Sequence, residues 1–127
     1  MTELARVEVE QRGDLCLVRI RGEVDISNAR ELSAAVEAAI QNRTPRIAID
    51  LSETTYLDSA GVQLLFAVAA RLRPRRHEVW VVVPRDSPVR AVLELSGLAA
   101  VVPLRDGRDE RPAGPEPAPS AEAQPEG

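Results

Sequence analysis

Asp58-Ser59-Ala60-Gly61 is where this sequence comes closest to offering side-chain chemistry. The four residues follow a strand-like run, Arg46 to Leu51, and a polar loop. They open a helical pattern in which Val62, Leu65, Phe66, Ala69 and Leu72 recur at amphipathic spacing. Arg71 and Arg73 suit the negative end of that helix, and Pro74 stops it. The spacing therefore puts the Ser59 hydroxyl at the positive end of a helix, a good position for binding or carrying a negative charge. Gly61, without a side chain, would permit close approach by a partner's backbone. A plainer role competes. Serine and aspartate are favoured N-caps, worth about 1 kcal/mol, and on local sequence alone the cap is the better reading of Ser59. The rest of the chain changes that balance.

Other chemistries are excluded by what is missing. All 16 basic residues are arginine, so Walker-type phosphate binding, Schiff bases and Ser-Lys dyads have no lysine to use. The same absence argues against a phospho-aspartate receiver domain. The single histidine, His77, follows Pro74-Arg75-Arg76 and reads as a solvated loop residue. One His and one Cys do not make the usual metal site, and no G-x-S-x-G elbow would serve Ser59 as a nucleophile. The expectation is a non-enzyme, with no metal and no cofactor of its own.

At 127 residues and 44% apolar content, the chain has the size and core of one domain. Its composition breaks after Leu104. Residues 105–127 hold five of the ten prolines and no Val, Ile, Leu or aromatic, with three arginines against six carboxylates. The division expected is a folded domain over 1–104 and a disordered, acidic, Pro-rich tail over 105–127. A near-neutral domain with three aromatics gives no support to nucleic-acid binding. The longest apolar run, Leu64 to Ala70, is too short to span a membrane. With no apolar signal segment at the start, a cytoplasmic protein is expected. Cys16 reads as a small core residue.

The elements that must position Ser59 follow from periodicity. Val7 and Val9 mark a short strand, Arg12-Gly13-Asp14 a turn and Cys16 to Ile20 a second strand, together an antiparallel hairpin. Gly22-Glu23-Val24-Asp25 reads as a loop into a helix capped by Ser27 or Asn28, which buries Leu32, Val36, Ala39 and Ile40. After the Ser59 helix, Val79 to Val83 is a strand buried on both faces. Ser87 and Pro88 open a third helix with Val89, Val92, Leu93 and Leu95 inward; Gly97 ends it, and Val101 to Leu104 is a last strand. The alternation predicts an α/β fold with a largely parallel sheet and right-handed crossovers.

Four motifs in register carry a resemblance: Leu17-Val18-Arg19-Ile20-Arg21-Gly22-Glu23-Val24-Asp25, Ile49-Asp50-Leu51-Ser52, Leu57-Asp58-Ser59-Ala60-Gly61-Val62 and Val92-Leu93-Glu94-Leu95-Ser96-Gly97-Leu98. The chain resembles the STAS domains of anti-sigma factor antagonists. The resemblance implies a single mixed, largely parallel sheet with helices packed along it and an N-terminal hairpin. It also implies partner switching: the unphosphorylated form binds an anti-sigma factor that is a protein kinase and releases a sigma factor. That kinase, which would itself bind Mg-ATP, then phosphorylates the serine matching Ser59, and a serine phosphatase restores binding. The family's loop aspartate falls on Asp25. The partner-facing set implied is Asp25, Ser27, Asn28, Asp58, Ser59, Ala60, Gly61, Val62 and Gln63. Ala60 stands where many members carry a second serine, and Gln63 where a small glycine is frequent. Two other readings are compatible with the same motifs: a non-catalytic STAS subunit of a lipid-transport ATPase, and a small-molecule or nucleotide sensor.

Overall fold

Alternating side chains in the first two strands set the frame. In the computed structural model, which describes residues 4–40, 45–72 and 77–107, β1 (Ala5–Arg12) and β2 (Leu15–Val24) form an antiparallel hairpin. Every second β2 residue, Cys16, Val18 and Ile20, is buried in the main core. Helix α1 (Ala29–Ile40) follows, then β3 (Arg46–Asp50), β4 (Thr54–Leu57) and helix α2 (Ser59–Leu72). Strand β5 (Glu78–Val82), the short helix α3 (Arg90–Ser96), a 3₁₀ turn at Leu98–Ala100 and β6 (Leu104–Arg105) complete the described chain. The sheet runs β1-β2-β3-β5-β6, and all pairings after the hairpin are parallel. This is the mixed α/β architecture the sequence predicts.

Strand β2 is longer than its sequence suggests. Gly22-Glu23-Val24, expected as a loop, continues the strand, because β4 offers it a partner. Leu15 to Arg19 pair with β3, and Gly22 to Val24 pair with β4 along the same edge. Two bonds close the gap between them: the buried Thr54 hydroxyl donates to the Ile20 carbonyl at 2.7 Å, and Gly22 N–H donates to Glu53 O at 3.0 Å. The register shifts between Gly22 and Glu23. Gly22 has φ +102°, and a Cβ there would collide with the Leu4 carbonyl, so glycine is required.

All buried helix residues join one core on one face of the sheet. Leu32 and Val36 of α1, Leu64, Leu65, Val68, Ala69 and Leu72 of α2 and Leu93 of α3 pack there with Ile47, Ile49 and Val81. In α2 the buried stripe includes Leu64 and Val68, while Val62 and Phe66 are only half-buried. Ala39 is half-buried against this core, and Cys16 is buried as expected. The Ile40 side chain, Arg73 and Pro74 lie outside the described residues. Helix α3 corrects the inward set: Leu93 and the preceding Val89 are buried, but Val92 and Leu95 are exposed, Leu95 to 89%. The helix starts only at Arg90, and the Ser87 hydroxyl accepts from Val89 N–H in the turn before it. Gly97 does end it, in a left-handed conformation at φ +84°. The last strand is Leu104–Arg105, with Val101 and Val102 in the preceding turn. Arg105 therefore belongs to the sheet, paired with Val82. Residues 108–127 lie outside the described residues.

The opposite face of the sheet carries a second, smaller cluster of Leu15, Leu17, Ala48, Trp80 and Val82. Around it the strands direct Arg6, Arg12, Arg19, Arg21, Arg46 and Arg105 to the same side. Four carboxylates share that face: Glu8, Glu10, Asp50 and Glu78. Most of these charges are laced together, as in Arg19 with Glu8 and Asp50, and Arg46 with Glu78.

Candidate functional site

The register of β2 against β4 builds the site. Val24 pairs with Leu57, and Asp58 N–H donates to Val24 O at 3.2 Å. Asp25 and Asp58 are the next residues on two parallel strands about 4.8 Å apart. They leave the same end of the sheet side by side, and each leads into a helix. The sequence brings Asp25 and Ser59 to one place only through this pairing.

On the first side, Asp25 organises its own loop. Its Oδ1 accepts from the Ser27 hydroxyl at 2.5 Å and from Ser27 N–H at 2.9 Å. The Asn28 amide clamps the same turn, donating to Glu23 O at 2.8 Å and accepting from Asp25 N–H at 3.0 Å. Ser27 and Asn28 thus serve the loop with their side chains, rather than capping α1 as their sequence suggests. The Asp25 carboxyl is held below the usual range chiefly by the Ser27 hydroxyl, then by Ser27 N–H. It stays ionised and held within its own loop, at the end of the sheet from which α2 also starts.

On the second side, the cap is Asp58. Its Oδ1 accepts from Ala60 N–H at 2.8 Å and from Gly61 N–H at 3.3 Å, and its carbonyl accepts the first helical bond, from Val62 N–H at 3.1 Å. Ser59 is the first helical residue and is exposed. The cap reading therefore moves one residue back, which leaves the Ser59 hydroxyl clear of the capping bonds. Gly61 does not face a partner. It is buried, and a Cβ there would lie 2.5 and 2.9 Å from Leu57 Cδ1 and Cγ, and 3.1 Å from Val24 Cγ1. Its missing side chain lets α2 sit down on the ends of β2 and β4. Val62 is half-buried against the core, so Ala60 and the exposed Gln63 are the α2 residues beside Ser59 open to a partner.

Nothing at this site holds a metal: among the described residues no three His, Cys, Asp or Glu side chains come close enough. His77 is half-buried just before β5 rather than loose in solvent. No described helix is long and apolar enough to cross a membrane.

A family model described as "Mlab, STAS domain" matches residues 7–104. The chain belongs to the STAS family. The domain is similar to the anti-sigma-F factor antagonist RsfB of Mycobacterium tuberculosis, 28% identical over 72% of this chain and 74% of that one. It is also similar to the anti-sigma F factor antagonist of Paenibacillus polymyxa, 26% identical over 80% of this chain and 86% of that protein. Among solved structures, an anti-sigma factor antagonist from Mycobacterium paratuberculosis superposes with a TM-score of 0.76 at 28% identity, covering 84% of this chain and 89% of the other.

The STAS domain offers more at this end than the motif residues. Ile26, between Asp25 and Ser27, is 83% exposed, and Tyr56 on β4 is 50% exposed. An open groove of about 530 Å³ runs between α1 and α2 beside Ser59, lined by Ile26, Ala29, Arg30, Ser33, Ala34, Glu37, Ala60, Gln63 and Leu64. These were not legible as site residues. An isoleucine in a polar loop was the one available signal, since a loop gives it no core to enter. Tyr56 looked like loop because β4 itself did.

Proposed function

We propose that this STAS domain is an anti-sigma factor antagonist whose binding is switched at Ser59. The observation that carries the reading is the division of labour at α2. Asp58 accepts from the first N–H groups of the helix, and the adjacent Ser59 is left exposed at the end of the sheet that also carries Asp25. The names of the relatives support an anti-sigma factor as the partner class. Unphosphorylated, the Asp25–Ser59 end and the neighbouring α1–α2 groove bind the anti-sigma factor and free its sigma factor. The anti-sigma factor, acting as a kinase with Mg-ATP, then reverses this. Ser59 Oγ bonds to the γ-phosphorus, the bond to the β–γ bridging oxygen breaks, ADP leaves, and the hydroxyl proton passes to a base on the kinase. A serine phosphatase would hydrolyse the ester and restore binding.

The electrostatics favour a sharp switch. A phosphate adds about −1.5 to −2 charge. The helix dipole would favour it by roughly 0.3–1 kcal/mol, but Asp58 already occupies the first free N–H groups and Asp25 stands alongside. An interface fitted to a neutral hydroxyl would have to desolvate a dianion beside two carboxylates, at a cost of several kcal/mol. Incubation with the cognate kinase and Mg-ATP should add one phosphate to the wild type and none to Ser59→Ala. Peptide mass spectrometry that placed the phosphate on Ser27, Ser33 or Ser52, with Ser59 unmodified, would refute the assignment.

A further inference from the structure

Ile26 holds an apolar side chain in water on a loop that cannot withdraw it. It is 83% exposed. Asn28 N–H and Ala29 N–H both donate to Asp25 O, at 3.2 and 2.9 Å, and close a tight turn with Ile26 second in it. The Asp25 carboxylate and the Asn28 amide brace the same turn through their side-chain bonds. An isoleucine on a loop already ordered is an anchor that binding need not immobilise, and its burial is favourable.

Arg30, the second residue of α1, is also unpartnered at this end. It is exposed and makes no ion pair or hydrogen bond with any described residue. Arg30 and Glu37, about two helical turns apart, are the charged side chains that line the α1–α2 groove. Glu37 is taken up by Arg71 at 2.9 Å. The uncommitted charge of the groove is therefore positive. Ile26 and Arg30 stand on its α1 side, and Ala60, on the α2 side, follows Ser59 directly. The groove thus runs up to the proposed switch residue.

We infer that Ile26 and Arg30 select the partner: the segment of the anti-sigma factor seated in the groove presents an apolar pocket to Ile26 and a carboxylate to Arg30. The inference rests on the reading of the domain as an anti-sigma factor antagonist and adds the chemistry of the surface it meets. A guanidinium fork takes a carboxylate through two parallel hydrogen bonds, and an apolar contact alongside keeps water from the pair. An anti-sigma factor with a cation at that point would bring like charges together as the interface closes, and is rejected. Selection and switching then occupy opposite sides of the groove, Ile26 and Arg30 on one and Ser59 on the other.

The test is calorimetric titration of the full chain against the purified cognate anti-sigma factor, without ATP. Ile26→Ser, Arg30→Ala and Arg30→Glu are compared with the wild type, with Leu95→Ser on α3 as an exposed apolar control. Both groove residues are exposed, so the variants should fold, and circular dichroism checks that they do. Ile26→Ser and Arg30→Glu should each bind about tenfold or more weakly, Arg30→Ala should fall between Arg30→Glu and the wild type, and Leu95→Ser should bind as the wild type does. Wild-type affinity in Ile26→Ser and Arg30→Glu would overturn the inference, and so would equal losses in Arg30→Ala and Arg30→Glu, which would leave no carboxylate opposite Arg30. Ser59→Asp in the same titration separates the two readings. If it alone loses binding, the switch stands and the selective role of Ile26 and Arg30 falls; if it binds as the wild type does while the groove variants fail, the selective role stands and the switch falls.

Discussion

At the scale of single residues, the sequence could not say which of two neighbours caps α2. Ser59 was legible as either a cap or an acceptor, and serine and aspartate are both good caps. A helix start that shifts by one residue moves the cap from one to the other, and propensity does not resolve one residue. The structure gives the cap to Asp58, and the consequence is measurable. Asp58→Ala should cost about 1 kcal/mol of stability, whereas Ser59→Ala should stay within about 0.5 kcal/mol, as for a surface site. Thermal melting of the two variants checks this; equal losses would return the cap to Ser59. Asp25 contributes a pH dependence of its own. Its carboxyl is lowered by the Ser27 hydroxyl and N–H. Its contribution is therefore present above the ordinary aspartate value of about 3.9 and is lost as pH falls through the lower folded value. NMR titration should find the Asp25 pKa below normal in the wild type and nearer to normal in Ser27→Ala.

At the scale of elements, α1 and α2 were legible because each buries one face and so repeats with a helical period, and β2, β3 and β5 because short runs of branched and apolar residues, buried on both faces, mark them as strands. Strand β4 was not. Thr54-Thr55-Tyr56-Leu57 has too few apolar residues to announce a strand, and it becomes one only because β2 runs on past β3. Helix α3 misled for a related reason. Its apolar residues suit a longer helix, but seven residues present little more than Leu93 to the core. Leu95→Ser should accordingly change stability by no more than about 0.5 kcal/mol, against about 2–5 kcal/mol for Leu93→Ala, as read from denaturant unfolding. Gly61→Ala should be costly despite alanine's helix propensity. A methyl group pressed on Leu57 and Val24 overpacks the joint by about 1–3 kcal/mol.

At the scale of the whole molecule, the fold and the switch proposed at Ser59 separate. Ser59 is exposed and takes no part in the cap or the core, so its charge can change without moving the sheet. Ser59→Asp should melt within a few degrees of the wild type, yet bind the proposed anti-sigma partner at least tenfold more weakly, a loss of about 1.4 kcal/mol or more. Ser59→Ala should keep its affinity. Calorimetric titration of both against the partner tests the pair, and equal affinities would leave the electrostatic switch without support.

The break in register at Gly22 has a consequence for how such a domain can diversify. Strand β2 is in effect two strands spliced end to end. Its first half is wedged between β1 and β3 and bears the core residues Cys16, Val18 and Ile20. Its second half sets where Asp25 stands against Asp58. The change of partner at Gly22 gives each half its own neighbour, β3 for the first and β4 for the second. Repacking around Ile20 could tune stability while the Asp25–Ser59 spacing holds, and one residue added or deleted between Gly22 and Asp25 could re-aim that loop toward a different partner with the hairpin and β3 still in place.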